Sequence, residues 1–375
     1  MAKFQTVLLA ALLLVAGFAA WQAKMNDAAL ADLQIQTRQA GEASFSRNVE
    51  LRQSIESLDR AVKFREGMLR GLRNGVGVNG RLGVAGTQLV NQFGKSVQLR
   101  GMSSHGLVWY PQYVNARALF DLKSRGANLF RAAMYSDSGS GGYNENPEAK
   151  RLNTMYLYLA VENALAADMY AIVDWHLLMD ENPMKTVDSA VEFFDAISRR
   201  YADEPGVLYE ICNEPNGETT WDDIHEYAQR VIPAIRKNAP KAVILVGTPH
   251  YSADLPAVKA KPLDFDNIMY TYHMYTGYSQ GQYKELIPAA LRDGFPVFVS
   301  EWGISDDEAT GRLDAEEGRE FIDFMKKNSI SWAYWSLCNS DEPFSVLKPE
   351  TIALSGWTEN DLSPAGRIVF AAFGE

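Results

Sequence analysis

Val207-Leu208-Tyr209-Glu210-Ile211-Cys212-Asn213-Glu214-Pro215 is an apolar run that stops on a carboxylate. A second run, Val297-Phe298-Val299-Ser300-Glu301-Trp302-Gly303, stops the same way. Each reads as a buried strand, over 207–212 and 297–300, with a glutamate at its C-terminal end. Working outward, six more short β-rich runs lie at 97–102, 129–134, 171–175, 243–247, 268–272 and 331–335. Amphipathic segments alternate with them, among them 149–168, 187–201, 221–238, 283–294, 315–328 and 364–373. Strict alternation of strand and helix implies parallel pairing with right-handed crossovers. Eight such units predict an α/β fold, a closed (β/α)₈ barrel. A doubly wound open sheet would need a glycine-rich turn after the first strand, and Gly101-Met102-Ser103-Ser104-His105-Gly106 lacks that spacing.

In such a barrel the chemistry sits where the strands end. Those ends carry His105 and Trp109, Arg131 and Tyr135, Asp174, Trp175 and His176, Asn213 and Glu214, His250 and Tyr251, His273 and Tyr275, Glu301 and Trp302, and Trp335. Two carboxylates in one cleft suit cleavage of a glycosidic bond, which needs one group to protonate the leaving oxygen and another to attack the anomeric carbon. The pair works only if its environments push the two pKa values apart. Arg131 is placed to hold Glu301 ionised by charge pairing, and Tyr275 to donate a hydrogen bond to the same carboxylate. Repulsion from that anion then keeps Glu214 protonated. Asn213 fits a hydrogen bond to the sugar 2-OH, and Trp109, Tyr135 and Trp335 offer flat faces for pyranose rings.

The chain has 375 residues, 47% of them hydrophobic, enough for one large core with an appendage. The net charge of −11 is uneven: residues 24–73 carry nine Lys or Arg against seven Asp or Glu, so the chain from residue 74 onward holds about −14. Such a charge repels phosphate backbones, and nucleic acid is not an expected partner. No charged residue lies between Lys3 and Lys24, so residues 1–23 read as a signal peptide or signal anchor, with membrane association possible through residues 4–23 and the catalytic domain exported. Residues 24–75 read as a helical stalk or linker. Leu51, Ile55, Leu58, Val62, Leu69 and Leu72 follow a heptad pattern that Arg65 interrupts, which suits either self-association through 51–72 or a helix lying on the catalytic domain. Gly71, Gly75, Gly77, Gly80 and Gly83 mark a flexible boundary, and the catalytic domain is expected over 76–375. Cys212 and Cys338 are expected to be buried free thiols. No metal-ligand spacing is present.

Residues 88–375 resemble the bacterial endoglucanases of glycoside hydrolase family 5. The likeness rests on Gln98-Leu99-Arg100-Gly101-Met102-Ser103-Ser104-His105-Gly106-Leu107, Phe130-Arg131-Ala132-Ala133-Met134-Tyr135, Val173-Asp174-Trp175-His176, the two glutamate motifs, His273-Met274-Tyr275 and Ser331-Trp332-Ala333-Tyr334-Trp335-Ser336-Leu337, all in the same order. It implies cleavage of internal β-1,4-glucosidic bonds with retention, no metal or other cofactor, and a β-glucan polysaccharide or oligosaccharide as substrate. It places the acid/base on Glu214 and the nucleophile on Glu301. Arg131, His176, Asn213, His273 and Tyr275 match the surrounding shell, and His105, Trp109, Tyr135 and Trp335 match sugar-contacting positions. The chain departs from the pattern at Asn339-Ser340-Asp341-Glu342, where a lysine is common, at Tyr251, where a tryptophan is common, and at Cys212, usually alanine. These departures leave open the same chemistry on mixed-linkage glucan, xyloglucan, mannan or xylan. A glycan-binding barrel without catalysis is the alternative of another class.

Overall fold

The structure is a computed structural model, and it describes residues 74–278, 281–307 and 312–374. The leader, the heptad segment and Gly71 lie outside the described residues. No helix among the described residues is long and apolar enough to cross a membrane.

Eight parallel strands close a barrel: β1 (Arg100–Ser104), β2 (Leu129–Tyr135), β3 (Tyr170–His176), β4 (Val207–Glu210), β5 (Ile244–Val246), β6 (Ile268–Tyr275), β7 (Val297–Gly303) and β8 (Trp332–Leu337). Around it run α1 (Ala116–Ser124), α2 (Pro147–Ala166), α3 (Val187–Arg200), α4 (Trp221–Arg236), α5 (Tyr283–Arg292), α6 (Ala315–Lys327) and α7 (Pro364–Phe373). The expected (β/α)₈ architecture is present, with two differences. Helix α1 is one the sequence pattern does not mark. Between β5 and β6 the chain makes only the turn Pro249–Ser252 and the 3₁₀ segment Leu255–Ala260.

The helices form because local signals and burial agree. Thr220 and Asp223 close a capping box at the start of α4, worth about 1 kcal/mol. Ile224, Tyr227, Ala228, Val231, Ile232 and Ile235, at helical spacing, bury one face of it. Along the strands the period of two sorts side chains. Phe130, Ala132 and Met134 join the core under the helices, whereas Leu129 joins a cluster inside the barrel and Arg131 turns inward to the carboxylates of β4 and β7.

The N-terminal end of the barrel is sealed. Leu82, Leu89 and Leu99 pack with Leu129, Ile172, Leu208, Leu245 and Phe298. The glycines expected to be flexible are packed from Gly75 onward. Gly77 N donates to Asp168 Oδ1 at 2.7 Å, and a Cβ on Gly75 would stand 1.8 Å from Asp168 Oδ2. Close approach of two backbones requires glycine there. Val97 N donates to Leu89 O at 2.9 Å, so residue 97 belongs to this seal and β1 begins three residues later than the apolar pattern suggests.

Strand β7 carries one extra residue. Thr271 and His273 of β6 pair with Phe298 and Glu301, and Trp332 and Tyr334 of β8 pair with Val299 and Trp302. Two steps on each neighbour therefore face three on β7, which is a β-bulge. It allows Ser300 and Glu301, adjacent in sequence, both to reach the barrel interior.

Candidate active site

Arg131, with 0% of its surface exposed, is the hub of the cleft floor. Its Nε and Nη2 donate to Glu210 at 2.8 and 3.2 Å, and Nη1 donates to Glu301 Oε2 at 2.7 Å. Nη2 also donates to Asn213 Oδ1 at 2.6 Å and lies 3.0 Å from Asp174 Oδ2. A planar guanidinium suits this work because its donors reach several acceptors in fixed directions. Tyr275 Oη donates to Glu301 Oε1 at 2.8 Å, so both oxygens of that carboxylate are held.

Glu214 stands opposite. One of its oxygens and one of Glu301 lie within 4.8 Å of each other, and a ring nitrogen of His273 lies within the same distance of both. Glu214 keeps 12% of its side chain exposed and Glu301 5%, so a substrate entering from above reaches both. Their pKa values move apart. Burial raises Glu214, and repulsion from Glu301 raises it further. Burial also pushes Glu301 upward, but Arg131, His273 and the hydrogen bond from Tyr275 outweigh it and hold this carboxyl below its usual range. Two carboxyl groups of one cleft are thus pushed in opposite directions.

The histidines divide into three environments. His273 Nδ1 lies 2.9 Å from Glu214 Oε1, and Nε2 lies 3.0 Å from Ser300 Oγ. Burial opposes charge on this ring, but the carboxylate of Glu210, 3.7 Å from Nε2, and the contact with Glu214 win and raise it to about 9. His176 is driven the other way, to about 3, by burial and then by Arg131, and is a neutral imidazole. Its Nε2 faces Asn213 Nδ2 at 3.4 Å, and Nδ1 meets Asp174 Oδ2 at 2.7 Å. His250 is not in the cleft centre: its side chain is 71% exposed and its Nδ1 faces Asp254 at 3.3 Å.

The aromatic positions form a continuous wall. His176 stacks on Trp335 at 5.0 Å with 11° between planes, His105 lies 5.0 Å from Trp335, and Trp109 lies 4.6 Å from Tyr135. Trp109 and Tyr251 present 43% and 54% of their surface to solvent, whereas Tyr135 and Trp335 are each 5% exposed and shape the cleft itself. Trp175 and Trp302, also at strand ends, face the helix layer and belong to the core. Glu342, from the acidic turn after β8, reaches His105 Nε2 at 3.4 Å. Cys212 and Cys338 are buried free thiols.

Residues 90–341 match the family model described as cellulase, glycosyl hydrolase family 5. The chain belongs to glycosyl hydrolase family 5. An endoglucanase of Clostridium saccharobutylicum is 40% identical over 297 residues, which is 79% of this chain and 65% of that protein. Endoglucanase A of Butyrivibrio fibrisolvens is 42% identical over 286 residues, 76% of this chain and 66% of that one. The chain therefore spans just under two-thirds of the length of these relatives. The catalytic domain of Thermobifida fusca endoglucanase Cel5A superposes with a TM-score of 0.74 at 34% identity, covering 80% of this chain and 99% of that domain. A substituted form of that domain has been solved in complex with cellotetraose.

Within this family 5 barrel, two buried groups escape the strand-end reasoning. Glu210 is the last residue of β4, inside the apolar run that the sequence reads as a strand over 207–212, and accepts from Arg131, and from Ser300 Oγ at 2.7 Å. Burial raises Glu210, but Arg131 and His273 overcome that and hold it at about 2. A carboxylate within an apolar run is itself a signal, because burying one alone costs several kcal/mol. Ser300 carries no such signal.

Proposed function

We propose that this chain is a retaining endo-β-1,4-glucanase that acts by double displacement, with Glu301 as nucleophile and Glu214 as acid/base. The observation that carries the reading is the approach of the two carboxyl groups to within 4.8 Å with opposed protonation tendencies. Retention needs carboxyl groups about 5–5.5 Å apart, whereas inversion leaves roughly 6.5–9.5 Å for a water. Glu301, ionised and held by Arg131 and Tyr275, attacks the anomeric carbon while Glu214 protonates the departing oxygen. Esterification removes the negative charge of Glu301. The repulsion that raised Glu214 disappears with it, so the same residue is ready to accept a proton from the incoming water.

Asn213 is aimed by Arg131 and by Leu177 O, to which its Nδ2 donates at 3.1 Å. Its long contact to His176 is one that a sugar 2-OH can displace. His105, Trp109, Tyr135, Tyr251 and Trp335 supply the surfaces for successive glucose units. The cellotetraose complex of the Thermobifida fusca domain supports a β-1,4-linked oligosaccharide as ligand. The leader supports export, with membrane attachment through residues 4–23 or release after cleavage.

The test is to follow the anomer first formed from a cello-oligosaccharide by proton NMR, and reducing ends released from cellulose derivatives, mixed-linkage glucan, xyloglucan, mannan and xylan. Initial release of the β-anomer from a β-1,4-glucan is expected. Initial α-anomer overturns the double displacement, and absence of turnover on every glucan overturns the enzyme assignment.

A further inference from the structure

The mechanism above leaves Ser300 and Glu210 without a part, yet they complete a hydrogen-bonded chain that ends on the acid/base. Glu210 is clamped by the guanidinium of Arg131 at 2.8 and 3.2 Å and accepts the hydroxyl proton of Ser300 at 2.7 Å. A serine has one proton to give. With that proton on Glu210, the Ser300 oxygen meets His273 Nε2, 3.0 Å away, only as an acceptor. The imidazole must then carry hydrogen on Nε2, and in its neutral form it turns the Nδ1 lone pair toward Glu214 Oε1 at 2.9 Å. Ser300 is fully buried and His273 is 4% exposed, so water does not substitute for either contact.

We propose that Ser300 is a positioning residue of the reaction: it locks His273 in the Nε2–H form, so that the acid proton is held jointly by Glu214 and His273. This rests on the reading of Glu214 as acid/base. The titratable groups that face His273 are Glu210 of β4, 3.7 Å away, Glu214 from the loop after β4, Glu301 from β7 and Asp174 from β3, with Arg131 of β2 paired to Glu210 and Glu301 behind them. In the state with no shared proton, the Nε2–H tautomer sets a lone pair against the Glu214 carboxylate. The other tautomer sets the Nε2 lone pair against the Ser300 oxygen. Both arrangements are unfavourable, so the pair keeps its last proton to higher pH. Without the hydroxyl the second penalty falls to what Glu210, 3.7 Å from Nε2, still exerts, Nδ1–H donates more readily to ionised Glu214, and the proton is lost earlier.

The experiment compares the pH dependence of kcat/KM on a cello-oligosaccharide for the unsubstituted protein, Ser300→Ala and Ser300→Thr. The alkaline limb of Ser300→Ala is expected to fall by about one pH unit, the scale of one hydrogen bond to a charged group, with KM little changed. Ser300→Thr, which keeps the hydroxyl, restores it. An alanine variant that loses rate uniformly with its alkaline limb unmoved, or moved upward, overturns the proposal. Should that variant fail to fold, the ring nitrogen shifts of His273 in the unsubstituted protein decide. Nε2 protonated throughout the titration is expected, and a neutral Nδ1–H ring overturns the proposal. This readout needs no turnover, so it separates failure of the relay from failure of the glucanase reading.

Discussion

At its N-terminal end the barrel is filled by Leu89, Leu99, Leu129, Leu208 and Phe298, each at most 2% exposed, whereas further along the same strands it holds Arg131, Asp174, Glu210 and Glu301. The first set stabilises the fold, each side chain contributing roughly 1.5–3 kcal/mol by leaving water. The second set is costly to desolvate and is tolerated because Arg131 and its partners satisfy one another. One set of strands thus carries a region that holds the molecule together and a region that the rest must support. The two should separate cleanly when each is perturbed.

The largest expected effect falls at the polar end. Glu301→Gln should reduce kcat on every substrate by roughly 10⁴- to 10⁶-fold while leaving calorimetric binding of cellotetraose and thermal stability near those of the parent. A matching loss of binding would mean that the substitution disturbs the site's shape as well as its chemistry. Glu214→Gln should cost roughly 10²- to 10⁴-fold on unactivated glucans but spare the first step on aryl glycosides with good leaving groups, measured by burst kinetics. Equal losses on both substrates would remove the acid role from Glu214.

The apolar end should show the reverse pattern. Leu89→Ala should lower stability by about 2–5 kcal/mol in denaturant unfolding and leave kcat within a factor of about two of the parent. It should also shift the curve of Tm against pH downward without changing its shape, because that shape comes from the polar end. His176, held down to about 3, contributes stability that is present above pH 6.5 and lost as pH falls below it. Glu210, held at about 2, contributes stability lost as pH falls from 4.5 toward that value. His273, raised to about 9, contributes stability complete below pH 6.5 and lost as pH rises toward 9. The expected dome near pH 6.5 should therefore persist in Leu89→Ala. The smallest effect belongs to the rim. Trp109→Ala should raise KM roughly 5- to 10-fold with kcat nearly unchanged, since the ring touches sugar without touching the reacting bond.

Most of this division was legible in the sequence, because alternation and strand ends are local signals. The two glutamates, the five residues around them and the aromatic wall stand where the ends of β1–β8 put them. The lost parts have definite physical causes. His250 sits in a turn where it, Tyr251 and Ser252 all adopt positive φ, a geometry that rotates its ring out toward Asp254 and that no periodicity announces. The seal made by residues 75–97 depends on glycines that read as a linker until Asp168 is seen against them. Ser300 was hidden because a period of two sends it and Glu301 to opposite faces.

That last point bears on how the chain tolerates insertion and deletion. Removing one residue between Phe298 and Glu301 would erase the bulge, and of the two adjacent inward places only one would survive. Glu301 would keep its side of the sheet, while the hydroxyl of Ser300 would be lost or turned toward the layer where Trp302 meets Phe321 and Trp332. Among single-residue deletions within β7, loss of Ser300 should therefore be tolerated best, and gaps should be nearly silent at the exposed tip around Ile352, which is 93% exposed.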